Sequence, residues 1–305
     1  MTLRQEQEAD TLESQLMPKF TPILPDPDAP RLTRALAGRD HFRQEVEVSV
    51  VEERPLTIYL NKQEIVTAMT IGDYPELLAL GFLRNQGMLQ SDDQVIGVDY
   101  DEELDTVVVR TARETSYEDK LQRKTRTSGC AVGTVFGDMM EGLEGLELPK
   151  TQLKTSDLYA LSKTINTLPS LYLKAGAIHG SVLCQGDQVL VYMEDVGRHN
   201  AVDKIAGWLF QEGTDPSKMV LYTTGRLTSE MVIKTAQMGI PILASRSGFT
   251  AWGVDIARQV GLTVVGRLRG QRFVCLSGEE RLIRDVDPAS VADEPRKSRR
   301  KAGDD

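Results

Sequence analysis

The chain has 305 residues, with 36 Lys and Arg against 45 Asp and Glu, for a formal net charge of −9. That balance disfavours a general nucleic-acid surface, and 40% hydrophobic with 27% charged residues excludes disorder over most of the length. No stretch approaches the roughly 18 apolar residues of a membrane span. The opening MTLRQEQEAD lacks a signal-peptide core, and three separated cysteines without a CxxC pair favour a reducing cytoplasm over a disulfide framework or zinc cage.

Residues 1–44, polar and rich in proline, read as a mobile N-terminal arm. Residues 45–115 read as a small α+β domain. Val46, Val48 and Val50 alternate, then Leu56, Ile58 and Leu60, and Asn61-Lys62 turns the chain into Ile65–Met69. A helix is expected over Tyr74–Gln86, with Asp73 as its cap and Pro75 in its first turn. A hairpin of Gln94–Tyr100 with Thr106–Thr111 follows. Residues 116–149 read as a linker carrying Cys130, and 286–305 as a charged tail.

Residues 150–285 alternate strands and helices, the pattern of a mostly parallel sheet covered by helices. Ser156 is expected to cap a helix running to Leu168. Ser181–Cys184 and Val189–Met193 form a hairpin, and strands at Met219–Tyr222, Ile242–Ala244 and Leu262–Val265 alternate with helices. Arg272–Leu276 adds a last strand.

Three strand-to-helix junctions share a composition: Glu194 to Asn200, Thr223 to Thr228 and Ser245 to Gly248. Each sets small residues and an arginine just past a strand, where open sheets bind ligands. Glycine admits close backbone approach, helix N-termini favour anions, and arginine offers a bidentate fork. The three together point to a polyanionic small molecule. The alternative is that each arginine pairs with a local carboxylate, Glu194, Asp195 or Glu230. No Walker loop or GxGxxG supports nucleotide hydrolysis or dinucleotide redox chemistry.

Cys130 lies in Thr127-Ser128-Gly129-Cys130-Ala131-Val132-Gly133, after Lys120, Arg123, Lys124 and Arg126. Nearby positive charge favours thiolate, the form that a nucleophile or sulfur carrier needs. A small apolar filler is an equal reading of the same residues. Cys184 and Cys275 read as core. His179 and His199 are both candidates for a Cys/His pair or a ligand contact, and sequence does not choose between them. The zinc-deaminase pattern of HxE with PCxxC is absent, so no metal is expected.

The stretch Glu194-Asp195-Val196-Gly197-Arg198-His199-Asn200-Ala201-Val202-Asp203-Lys204 resembles the signature of the FdhD/NarQ family of formate dehydrogenase accessory sulfurtransferases. Gly225-Arg226 with Ser229–Val232, Gly239–Ile242 with Ser245–Ser247, Leu77–Leu83 with Gly87, and Gly129-Cys130 extend the resemblance over residues 46–283. The resemblance implies a cytidine-deaminase-like α/β domain without zinc, beside the smaller α+β domain. It implies a homodimer that takes sulfur from a cysteine desulfurase as a Cys130 persulfide. The sulfur passes to the molybdenum (or tungsten) bis-guanine-dinucleotide cofactor, which is then inserted into formate dehydrogenase.

The same resemblance assigns Arg267, Leu268, Arg269, Gly270, Gln271 and Arg272 to cofactor binding. Gly197, Arg198, His199, Asn200, Gly225, Arg226, Ser245, Arg246 and His179 complete the expected binding set. Two features depart from the family pattern: Gly133 stands where many members carry a second loop cysteine, and no aromatic accompanies Arg267. The first departure keeps a second reading open, a cofactor-binding chaperone without sulfur chemistry. A third is a Cys/His hydrolase using Cys130.

Overall fold

The computed structural model describes residues 21–90, 92–113, 143 and 145–287. Cys130 and its basic neighbours, like the tail beyond Asp287, lie outside the described residues.

From Arg54 onward the small domain follows its sequence pattern, whereas the expected strand at Val46–Val50 lies outside its sheet. Strands β3 (Arg54–Leu60), β4 (Gln63–Thr70), β5 (Val95–Asp101) and β6 (Thr106–Thr111) form one sheet in the order β4-β3-β6-β5. Helix α1 (Pro75–Asn85) covers it, and Leu56, Ile58, Leu78, Leu83, Val107 and Val109 make its core. The cap of α1 differs from expectation. Tyr74, in the left-handed region at φ 48°, precedes the helix, and Asp73 instead reaches across to Lys204.

Residues 21–44, the described part of the expected arm, also differ. Strand β1 (Thr33–Arg39) pairs antiparallel with β2 (Glu45–Val51), and the Ile23 amide donates to the Leu190 carbonyl at 3.0 Å along the edge of the large sheet. Proline richness concealed a segment whose backbone groups are satisfied by pairing.

The large domain contains β7 (Leu153–Lys154), α2 (Thr155–Ile165), α3 (Leu171–Ala175), β8 (His179–Gln185), β9 (Gln188–Asp195) and α4 (Arg198–Glu212). It continues with β10 (Met219–Thr223), α5 (Ser229–Gln237), β11 (Ile242–Ser245), α6 (Ala251–Val260), β12 (Thr263–Arg269), β13 (Arg272–Ser277) and β14 (Leu282–Ile283). Ser156 is not the cap of α2; its hydroxyl and amide donate to Asp285.

The six-stranded sheet has the order β13-β12-β11-β10-β8-β9. It is mixed rather than mostly parallel. Only the β10/β11 and β11/β12 neighbours are parallel. The short turns at Gly186 and Gly270, both at positive φ, fold β9 back on β8 and β13 back on β12, which forces antiparallel pairing.

Strand residues alternate between two cores. Leu183, Leu221, Leu243 and Val264 face one, with residues of α4, α5 and α6. Val182, Val220, Tyr222, Ile242 and Val265 face the other, with Leu158, Leu161 and Ile165 of α2. Cys184 is fully buried there and Cys275 packs beside it, as expected. No helix among the described residues is long and apolar enough to cross a membrane.

Candidate functional site

Strand β8 runs antiparallel to both β9 and β10, and β11 and β12 run parallel to β10. The carboxyl ends of β9, β10, β11 and β12 therefore share one edge, and β8 begins there. That single fact gathers the three glycine–arginine junctions, His179 and Arg267 along one rim.

Hydrogen bonds stitch the junctions together. His179 lies opposite Asp195 in the β8–β9 register. The Thr224 amide donates to the Gly180 carbonyl at 2.9 Å, and the Thr224 hydroxyl accepts from the Gly180 amide at 3.0 Å. The Ser245 hydroxyl donates to the Gly225 carbonyl at 2.6 Å, and the Arg267 amide, at φ 56°, donates to the Ser247 carbonyl at 2.7 Å.

Gly225 has a steric role. A Cβ there would lie 3.1 Å from Cδ of Arg198, so its absence leaves room for that side chain to cross from the first junction to the second. The Arg198 Nε is buried and has no hydrogen-bond partner among the described residues. An orphaned guanidinium donor is costly unless something outside the chain satisfies it. The carboxylates nearest in sequence are committed elsewhere. Glu194 accepts from Ser170, the Leu171 amide and Tyr192. Asp195 serves Thr70, Asn200 and Lys204. Glu230 lies 3.1 Å from His199.

His179 reports the same convergence. Burial first, then the positive charge of Arg198, His199, Arg246 and Arg226, holds its imidazole below the ordinary 6.5. Arg246 stacks over Tyr172, its guanidinium carbon 5.2 Å from the ring centroid. Tyr172 was not legible as a site residue, because no local spacing links it to a loop 74 positions away.

Several expected contacts are turned to other work. Asn200 donates to the Met69 carbonyl at 2.8 Å and to Asp195 at 2.9 Å, so it ties the two domains together rather than lining the rim. His199 is buried against Glu230, and burial lowers its pKa. Ser245 is spent on the junction backbone. Leu268 is core, 1% exposed. Gly270-Gln271 is the tip of the β12–β13 hairpin, with Arg269 and Arg272 opposite each other at its base. Gly197, Arg198, Gly225, Arg226, Arg246, His179, Arg267 and Arg269 remain at or near the rim; burial raises the Tyr222 pKa, and Arg246 and then Arg269 lie close enough to offset part of that rise.

The fold and this rim define an α/β protein with a basic sheet edge, joined to a small α+β domain. The FdhD/NarQ family profile matches residues 51–283. The chain is 32% identical over 243 residues to the sulfur carrier protein FdhD of Listeria monocytogenes, spanning 78% of this chain and 93% of the relative. It is 28% identical to the protein of that name from Bacillus subtilis, over 82% of this chain and 98% of the relative. Among solved structures, a protein from Desulfotalea psychrophila described as a formate dehydrogenase accessory protein superposes with a TM-score of 0.67 at 27% identity. It covers 82% of this chain and 98% of its own. The chain belongs to the FdhD/NarQ family.

Proposed function

We propose that the protein is a sulfur carrier in the maturation of formate dehydrogenase. Its cargo, the molybdenum bis-guanine-dinucleotide cofactor, sits on the arginine rim. Cys130 is the sulfur-bearing residue, and a cysteine desulfurase is the donor. The Cys130 thiolate attacks the terminal sulfur of the desulfurase persulfide. A new S–S bond forms on Cys130, the old one breaks, and its electron pair leaves on the desulfurase thiolate. The carried outer sulfur then passes to the cofactor before its insertion into formate dehydrogenase: the S–S bond breaks, its electron pair returns to the Cys130 thiolate, and two electrons drawn from the reduced metal of that cargo would bring the sulfur to the sulfide level. The reading includes the homodimer that the family resemblance implies.

One observation carries the cargo site: the convergence of Arg198, Arg226 and Arg246 around His179, with a buried Arg198 Nε that no group among the described residues satisfies. A pyrophosphate supplies the acceptor oxygens that such a rim lacks. Arg198 and Arg246 bind and orient the phosphates, while the N-terminus of α4 adds its dipole. Family membership supports the sulfur chemistry, since the relatives bear the name sulfur carrier protein.

The test is complementation. Cells lacking this protein are supplied with wild type, Cys130→Ser, Cys130→Ala or Arg198→Ala, and formate dehydrogenase activity is measured. The carrier reading expects loss in all three variants. Activity retained by both Cys130 variants but lost in Arg198→Ala would favour the chaperone without sulfur chemistry.

A further inference from the structure

Helix α4 carries two kinds of residue. Arg198 and His199 stand at its start, on the rim. Asn200, Asp203, Lys204 and Gly207 recur at i, i+3, i+4 and i+7, which places them on one face. That face meets the small domain in three contacts.

Beside the rim, Asn200 Nδ2 donates to the Met69 carbonyl at 2.8 Å, Thr70 donates to the Asp195 carboxylate, and Lys204 ion-pairs with Asp73. In the middle, α1 and α4 cross through paired glycines. A Cβ on Gly81 would lie 1.7 Å from the Asp203 carbonyl oxygen, and one on Gly207 would lie 2.0 Å from that of Leu77. At a third contact, on the same turn of α4, Asn85 Nδ2 donates to Asp203 at 2.7 Å, and Lys234 Nζ lies 2.7 Å from both oxygens of the same carboxylate.

The first contact also reaches the rim. Lys204 is fully buried, and its ammonium also donates to the Glu194 carbonyl at 2.9 Å. Asp195 accepts from Lys204 at 2.7 Å and from the Gly197 amide at 3.1 Å. One carboxylate thus holds the small domain through Thr70, the buried ammonium, and the backbone immediately before Arg198. A buried ion pair adds little net stability over well-packed apolar residues, because desolvation offsets the attraction. Stability alone is therefore a poor account of the network. What it supplies is registry between the two domains.

We propose that Thr70, Asp73, Asp195 and Lys204 form an interdomain latch that sets the position of Arg198, and so the affinity of the rim for phosphate. This rests on the reading of the rim as a polyanion site. Asp195 and Lys204 are positioning residues, and Thr70 and Asp73 are the small domain's half of the latch.

The test uses the full chain and GDP as the probe, with the histidine ring protons followed by NMR. Thr70→Val keeps the shape and removes the hydroxyl. Thr70→Ser restores it. Asp73→Asn removes the charge of the ion pair from a partly exposed position. In Thr70→Val and Asp73→Asn, with thermal melts confirming the fold, GDP affinity falls by about fivefold or more. The His179 midpoint rises towards its ordinary value as Arg198 moves away. Thr70→Ser retains both wild-type values. Folded variants with unchanged GDP affinity and an unchanged His179 midpoint would overturn the latch. If Thr70→Val does not fold, Asp73→Asn decides. If the wild type itself ignores GDP, the polyanion reading fails, and the His179 midpoint, which needs no ligand, still decides whether the latch sets the rim.

Discussion

The Lys204 ammonium lies 2.7 Å from the Asp195 carboxylate, and neither side chain reaches solvent. Asp195 and Asp73 together keep Lys204 protonated despite its burial. Removing the cation leaves two carboxylates without their partner. Lys204→Met is expected to destabilise the protein by about 3–5 kcal/mol, the cost of breaking a buried pair from one side. Urea unfolding measures this, and a loss under about 1 kcal/mol would mean that water or a rearranged partner compensates Asp195.

The helix crossing makes a steric prediction. Gly81→Ala and Gly207→Ala each drive a methyl into backbone, which cannot swing aside as a side chain can. The helices must separate, and a loss of about 2 kcal/mol or more is expected. Gly186→Ala, at a turn with open space around it, meets no such contact, although its φ of 56° carries strain of its own. Thermal melts of the three variants should rank both crossing glycines well below Gly186→Ala.

Much of this architecture was legible in the sequence. The period-2 runs placed the strands, and the glycine stops placed the helix ends, because both signals are local. The rim was legible as three similar junctions, since strands running the same way must end together. The direction of the outer strands was not read, because tight turns at Gly186 and Gly270 override the strand–helix alternation. The role of Asn200, Asp203 and Lys204 was not read either. Their helical spacing was visible, but the partners Met69, Asn85 and Asp73 lie 118 to 131 positions away. A polar stripe on a helix looks the same whether it faces water, a ligand or another domain.

His179 provides a pH test of the rim. Its pKa is depressed in the free protein, so the unfolded chain binds more protons below the ordinary 6.5. This residue therefore lowers stability as pH falls through that value. A bound polyanion offsets the arginines and raises the His179 pKa, so binding takes up a proton. GDP affinity is expected to rise between about pH 7.5 and about pH 6, and to rise less in His179→Gln. Equal pH dependence in both proteins would place His179 away from the ligand.

Asp285 provides a second, independent pH test. The Ser156 hydroxyl and amide and the Thr155 hydroxyl hold its carboxyl down to about 2. A depressed carboxylate contributes stability above its unfolded value, ordinarily 3.8, and loses that contribution as pH falls towards about 2. Asp285→Asn should lower the melting temperature at neutral pH, and the gap from wild type should close across that acid window. A gap that persists at about pH 2 would show that the side chain acts through packing instead.

Sulfur transfer to Cys130 tests the central claim most directly. Purified protein is incubated with a cysteine desulfurase and cysteine, and intact and peptide masses are taken without reductant, wild type beside Cys130→Ala. The account predicts one added sulfur on the Cys130 peptide of the wild type, removed by reductant, and none in the variant. A wild-type protein that gains no sulfur while still binding GDP would contradict the carrier mechanism and leave the arginine rim as the site of a cofactor chaperone.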